Sequence, residues 1–219
     1  MQDRFLRQQD VLDAGRLSHL GITLIGLGSI GSVTGLFLVK MGAANLKVFD
    51  ADFVEDHNVS NQMYRCSDVG VAKAEAFRDL MEFYSGDLIE YSLRRYVDQP
   101  LTEVVISAVD SMASRSVIWK AVREQSQVRL YIDARMGLET LIVYAVRPQV
   151  RDDRVFYSQT IVHDDQALQE PCTARSICFT PLMASSIICN LVKRFVNDEE
   201  IPRRVILDLA TFTLLTEPR

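Results

Sequence analysis

A single glycine loop limits what this chain can fold into more than any other feature. Gly26-Leu27-Gly28-Ser29-Ile30-Gly31 follows the short apolar run Ile22-Thr23-Leu24-Ile25 and leads into 32–41, a segment apolar on nearly every face. Strand, glycine turn and buried helix are the context that the G-x-G-x-x-G fingerprint requires. Gly26 permits the tight turn, Gly28 lets backbone approach a phosphate, and Gly31 lets helix and strand pack closely. From Ser29 onward the helix N-terminus offers free N–H groups and a positive dipole end to an anion. A second strand ends at Asp50, about 20 residues beyond the loop, where an acidic residue meets ribose hydroxyls. That spacing favours a nucleotide site over a glycine turn that only packs a helix on a sheet.

The rest of the chain continues the alternation. Strands are expected near 22–26, 46–50, 87–93, 103–108 and 129–133, and helices over 29–41, 72–84 and 112–125. An amphipathic helix or helix pair precedes them over 4–20. Alternation of this kind implies an α/β fold, Rossmann-like, with a mostly parallel sheet and helices on both faces. Residues 138–146 read as a further strand, joined to 129–133 through Arg135-Met136-Gly137. From 148 to 180 the pattern breaks into a polar, irregular stretch, and long structureless segments inside a domain are often functional. Pro181 suits the first turn of a following helix. Leu182, Met183, Ile187, Ile188, Leu191, Val192 and Phe195 give that helix an apolar stripe, and 203–213 reads as a closing strand, so the C-terminal strands are expected to be antiparallel. No Gly/Ser/Pro-rich linker divides the chain, so 1–219 is expected to form one domain.

Composition removes several classes. A net charge of -5 argues against nonspecific binding of nucleic acid. No apolar run reaches the roughly 18 residues of a membrane span, and the N-terminus lacks the basic-then-apolar order of a secretory signal. Four cysteines, none paired as C-x-x-C, suggest a reduced cytoplasmic compartment and no zinc knuckle.

Polar residues behind the loop carry the chemistry. Asp50 and Asp52 straddle one residue at a strand end and are expected to point to the same side. Lys73 opens a helix, where the dipole does not favour a cation, so it either meets a bound anion or is simply solvated. Asp110 follows the buried-looking strand 104–109. It lies at the carboxyl end of the sheet with Asp50 and the glycine loop, either holding a Mg²⁺ that bridges phosphates or capping the next helix.

Together these residues resemble the ubiquitin-activating-enzyme-like adenylyltransferases of the ThiF/MoeB/HesA type. Arg4-Phe5-Leu6-Arg7-Gln8 is similar to that family's R-Y-x-R-Q, and the glycine loop and Asp50-Ala51-Asp52 match its G-x-G-x-x-G and D-x-D. Asp68-Val69-Gly70-Val71-Ala72-Lys73 is similar to its D-V-G-x-x-K, and Asp110-Ser111-Met112-Ala113-Ser114-Arg115 to its D-N-x-x-x-R. The resemblance implies ATP and Mg²⁺ as cofactors. Gly28 and its neighbours, Gly26, Ser29 and Gly31, would line the phosphates, and Asp50 would bind the ribose. Asp52, Asn58 and Gln62 would complete the nucleotide site, with Lys73 on phosphate and Asp110 on Mg²⁺. Arg7 would reach the γ-phosphate from the partner subunit of a homodimer. The implied reaction is attack of a carboxylate on the α-phosphorus of ATP. The carboxylate would be the C-terminal glycine of a ubiquitin-like or sulfur-carrier protein, with a conjugating enzyme as a further candidate partner.

Two departures stand out. Asn61 occupies the place where the family has an arginine before Gln62, leaving Arg65 as the candidate substitute, and the paired zinc cysteines are absent. Cys172, in Glu170-Pro171-Cys172-Thr173-Ala174-Arg175, matches the crossover-loop cysteine that forms a thioester with the activated carrier. A loop thiol beside Arg175 would gain thiolate character. Cys178 and Cys189 read as core, as does Trp119, and Cys66 is given no role. Two other readings stay open, namely a dinucleotide-dependent oxidoreductase and a non-catalytic activating-enzyme-like binding module.

Overall fold

The structure, a computed structural model, describes residues 3–86, 89–161 and 177–219. After a 3-10 helix at Asp3–Gln8 come α1 (Ala14–His19), β1 (Ile22–Ile25), α2 (Ser29–Met41), β2 (Leu46–Phe49), α3 (Lys73–Ser85) and β3 (Glu90–Ser92). The second half contains β4 (Val104–Ser107), α4 (Met112–Glu124), β5 (Leu130–Gly137), β6 (Thr140–Val146), α5 (Arg151–Ser158), α6 (Phe179–Val196), β7 (Arg204–Asp208) and β8 (Thr213–Glu217). Short 3-10 turns at Asp56–Asn58 and Cys66–Asp68 lie between β2 and α3.

The eight strands of the described residues join one sheet in the order β3-β2-β1-β4-β5-β6-β7-β8. β3, β2, β1, β4 and β5 run parallel, and β6, β7 and β8 are added antiparallel. Strand order therefore reverses beside β1, the place where open α/β sheets bind ligands outside the strand C-termini. Ile25 is level with Phe49 on β2 and Ser107 on β4. The register consequently delivers Gly26, Asp50 and the turn leading to Asp110 to the same end of the sheet.

Alternating side chains of the strands feed two cores. Leu24, Val48, Ile106 and Ile132 pack with Leu38 of α2, Phe77 of α3 and Ile188 of α6. Ile25, Phe49, Val105 and Tyr131 pack on the other face with Trp119 of α4 and Tyr157 of α5. Each fully buried side chain of this kind contributes about 1.5–3 kcal/mol relative to exposure. In the aromatic set on the second face Tyr157 packs edge-on against Trp119, with ring centroids 4.7 Å apart, and Trp119 stacks on Tyr131.

Several expectations are revised. The N-terminal segment is a 3-10 helix followed by a short α-helix, which Asp13 caps by accepting the Arg16 N–H at 2.9 Å. The stretch expected to be irregular from 148 contains α5. This helix buries only Asp153 and Tyr157, one residue per turn, so its sequence reads as polar throughout. β5 continues through Arg135-Met136-Gly137 because those residues pair with β6 as far as Gly137 opposite Thr140. The charged Asp133 and Arg135 had hidden this extension. The closing strand is a hairpin of two strands, turned at Phe212 with φ 53°. Pro181 does lie in the first turn of α6. Cys178 is exposed, contrary to its apolar neighbourhood in sequence, whereas Cys189 and Trp119 are buried.

Candidate nucleotide site

The glycine loop is built by steric demands that only glycine meets at two of its positions. Gly26 has φ +91°, and a Cβ there would lie 2.6 Å from the Ala108 carbonyl oxygen. A Cβ on Gly31 would lie 1.9 Å from the Gly26 carbonyl oxygen, so strand and helix meet directly. Gly28 differs, because a Cβ there would meet no protein atom within 4 Å. The protein itself does not require glycine at that position, and the space beside it is open. Gly28 is also the N-cap of α2 and offers no side-chain cap. The first intrahelical bond comes from Ser32 N–H to the Gly28 carbonyl, which leaves the N–H groups of Ser29, Ile30 and Gly31 without helical acceptors. Open space and uncapped donors form a cradle suited to phosphate.

Asp50 and Tyr64 hold this loop from behind. Asp50 Oδ2 accepts the Leu27 N–H at 2.6 Å, and its Oδ1 accepts the Asp52 N–H at 2.8 Å. Tyr64 donates its hydroxyl to the Leu27 carbonyl at 2.8 Å. Burial pushes the Asp50 carboxyl above its ordinary range, against the opposing pull of the two N–H donors and Lys73. Asp50 thus buttresses the loop, and each of its oxygens keeps a further lone pair for a ribose hydroxyl. Nothing in the sequence pattern marked Tyr64 for this role.

Lys73 is the first residue of α3 and is only 8% exposed. Its backbone N–H donates to the Asp52 carbonyl at 2.8 Å. Its Nζ lies 3.6 Å from Asp52 Oδ2, beyond hydrogen-bond reach, and the Asp52 side chain is exposed. A buried ammonium with one long, exposed counter-ion suits an incoming anion. Asp50 and Asp52 do not act as a pair. One carboxylate turns into the glycine loop and the other toward Lys73.

Asp110 is exposed, and the adjacent Ser111 caps α4 by accepting the Ser114 N–H at 3.2 Å. The Asp110 carboxylate takes part in no hydrogen bond or ion pair among the described residues, which leaves it available for a cation. The described residues hold no cluster of three metal-ligating side chains. A Mg²⁺ here would therefore take its remaining oxygens from phosphates and water, as this ion usually does. The turn is fixed from below by Arg115. Its Nη2 donates to the Val109 carbonyl, and its Nε donates to the fully buried Asp133 at 3.0 Å. Arg135 binds the other Asp133 oxygen at 2.7 Å. Arg115 has no role assigned by its motif, and no pattern in the sequence marks Asp133.

The loop between β2 and α3 supplies Asn58 and Gln62. Asn58 is buried, and its Oδ1 accepts the Glu55 N–H at 2.9 Å, closing the 3-10 turn. Gln62 Oε1 and Asn61 Oδ1 are buried without hydrogen-bond partners among the described residues. Arg65, the candidate substitute for the missing arginine, is engaged by Asp68, with Nε at 3.0 and 3.1 Å from the two oxygens.

Arg7 lies far from the loop of its own chain. Gln8 of the same 3-10 helix donates to the Lys40 carbonyl, and Arg4 to the Ser85 carbonyl, at the C-terminal ends of α2 and α3. The 13 residues of α2 place that end about 20 Å from the glycine loop. Cys172 lies outside the described residues.

The model of the ThiF family matches residues 4–218. The chain belongs to the ThiF family. Among known relatives it is similar to ubiquitin-like modifier-activating enzyme 5 of Caenorhabditis elegans, 26% identical over 131 residues, covering 52% of this chain and 31% of that protein. The Drosophila melanogaster counterpart is 28% identical over 140 residues, 55% of this chain and 34% of that protein. The chain thus spans about a third of the length of these relatives. Among solved structures, PaaA superposes with a TM-score of 0.79 at 18% identity, covering 99% of this chain and 72% of that one. E. coli MccB, solved with ATP, gives 0.78 at 14% identity, covering 100% of this chain and 72% of that one. These likenesses agree with the α/β fold, and none of the described helices is long and apolar enough to cross a membrane.

Proposed function

We propose that this chain is the adenylation domain of an ATP-dependent adenylyltransferase that activates the C-terminal carboxylate of a ubiquitin-like or sulfur-carrier protein. The observation that carries the reading is the open space beside Gly28 at the uncapped N-terminus of α2, with Lys73 at the start of α3, bonded through its backbone to Asp52 beyond β2, and the free Asp110 carboxylate beyond β4. The phosphates of ATP would lie on the N–H groups of Ser29, Ile30 and Gly31. Asp50 would hold both the loop and the ribose, with Asp52, Asn58 and Gln62 closing the nucleotide site. Asp110 would hold Mg²⁺, which supplies charge neutralisation to the phosphates when bound. A carboxylate oxygen attacks the α-phosphorus, the bond from that phosphorus to the α,β-bridging oxygen breaks, and pyrophosphate leaves with the bridging oxygen. Positioning and charge neutralisation account for most of such a step, and Lys73 provides the buried cation.

Family membership supports the adenylation class, and the relatives' name supports a ubiquitin-like partner. Placement of Arg7 at the far end of α2 suits action in a second subunit's site and so a homodimer. A cytoplasmic setting, a conjugating enzyme as partner and a thioester on Cys172 complete the proposal. ATP–pyrophosphate exchange with Mg²⁺, run with and without small proteins ending in Gly-Gly, tests it. Carrier-dependent exchange is expected, and ATP binding without exchange for any carboxylate substrate would sink it. That second outcome is the one favoured by the binding-module reading, whose support is the Asn61 position left without a cation while Arg65 is held by Asp68.

A further inference from the structure

Three arginines outside the nucleotide site and the structural ion pairs gather at one place in the fold. Arg123, near the end of α4, and Arg151 and Arg154, on α5, line one open cleft of about 660 Å³ between the two helices. Acidic residues outnumber basic ones by 29 to 24 in this chain, and many arginines elsewhere find them, as Arg16 finds Asp198, Arg65 finds Asp68 and Arg219 finds Asp153. None of the three cleft arginines takes part in an ion pair or side-chain hydrogen bond among the described residues. The Glu124 carboxylate lines the same cleft without pairing with any of them. Three unpaired guanidiniums converging in an acidic protein cost repulsion, which an anion would relieve.

The cleft is partly organised for such a ligand. The Arg123 guanidinium lies 5.6 Å from the centre of the Trp119 ring, a contact that restrains its long side chain. Ser158 accepts the Trp119 indole N–H at 3.0 Å, which leaves its own O–H free to donate into the cleft. Arg151 and Arg154 are three apart on α5 and so share a face. Planar guanidiniums bind carboxylate and phosphate in forked pairs. The shape decides between small and large occupants. Sites for small molecules bury most of the ligand, whereas every residue lining this cleft is exposed.

We propose that the α4–α5 cleft is a docking site for an acidic segment of a partner protein, whose aspartate or glutamate carboxylates pair with Arg123, Arg151 and Arg154. Asp110 stands just before the Ser111 cap of α4 and Arg123 is next to last in the helix, so nearly the whole of this 13-residue helix separates the cleft from the nucleotide side. A partner held here leaves the glycine loop open, and its charge would govern encounter rate and orientation.

The test is fluorescence anisotropy of a labelled eight-residue oligo-glutamate peptide at low salt, with the matched oligo-glutamine peptide as reference. Saturable binding of the glutamate peptide alone is expected, weakened by about tenfold or more in the Arg151→Glu/Arg154→Glu variant. Arg94→Glu/Arg95→Glu makes the same charge change on an exposed loop and should leave binding within about twofold. Thermal melts establish that both variants are folded, and Arg151→Ala/Arg154→Ala serves as a milder second variant. Equal weakening by both charge reversals would reduce the effect to general attraction and overturn the proposal. So would absence of binding. Displacement of the peptide by tripolyphosphate at much lower concentration than by free oligo-glutamate would reassign the cleft to phosphate.

Discussion

Asp50 grips the backbone of Leu27 through a 2.6 Å hydrogen bond, so the residue expected to face a ribose is also the strut of the glycine loop. Its second oxygen accepts the Asp52 N–H, and both bonds need a carboxylate acceptor. In Asp50→Asn one of these acceptors becomes an NH₂ facing an N–H donor. A loss of about 1–3 kcal/mol in urea unfolding is expected, together with weaker ATP binding. Unchanged stability in this variant would remove the strut.

Most of this arrangement was legible in the sequence, because glycine and aspartate at strand ends and lysine at a helix start answer to local geometry. Gly26 and Gly31 are demanded by steric contacts that follow from a strand running into a helix. What stayed hidden depends on contacts across many residues. Tyr64 reaches Leu27 across 37 positions, and Arg115 reaches Asp133 across 18. α5 escaped because it buries one residue per turn, and β5 appeared to end early because a buried Asp133 interrupts an apolar run that two arginines neutralise.

Asp68 gives the fold a dependence on pH. Burial pushes its carboxyl up, but the hydrogen bonds and charge of Arg65 outweigh this and hold it below the ordinary value of 3.8. The folded state therefore binds this proton less readily than the unfolded chain. The resulting stability is present above about pH 4 and is lost as the pH falls through the lowered folded value. Urea unfolding of the wild type should weaken more steeply below pH 4 than that of Asp68→Asn. Parallel acid limbs in the two proteins would exclude Asp68 as a source.

Lys73→Met keeps the aliphatic stem of a buried side chain and removes its charge. Asp52, the counter-ion at 3.6 Å, is exposed and can hydrate. The melting temperature should move little, and exchange between ATP and pyrophosphate should fall roughly 10²–10³-fold. An unaffected exchange rate would return this lysine to a structural role.

If Cys172 accepts the activated carrier, Cys172→Ala should preserve pyrophosphate exchange and abolish a carrier adduct that dithiothreitol releases. The two steps use different atoms, since adenylation needs no thiol. An adduct surviving in this variant would move the thioester to another cysteine, with the exposed Cys66 and Cys178 the first to replace.

Gly28 and Gly31 separate ligand from fold most directly. At Gly28 the φ is -72°, ordinary for any L-residue, and an added methyl meets no protein atom within 4 Å. Gly28→Ala should therefore fold with nearly unchanged stability. The methyl would occupy the space in which a phosphate approaches the backbone, so ATP affinity should fall about tenfold or more. At Gly31 the same methyl would stand 1.9 Å from the Gly26 carbonyl oxygen, and strand and helix must part to admit it. Gly31→Ala should cost about 3 kcal/mol and lower the melting temperature before any question of binding arises. Calorimetric melts beside ATP titrations of both variants read the two effects separately. Full ATP affinity in a folded Gly28→Ala protein would mean that no phosphate comes to this backbone, and the nucleotide reading of the loop would fail with it.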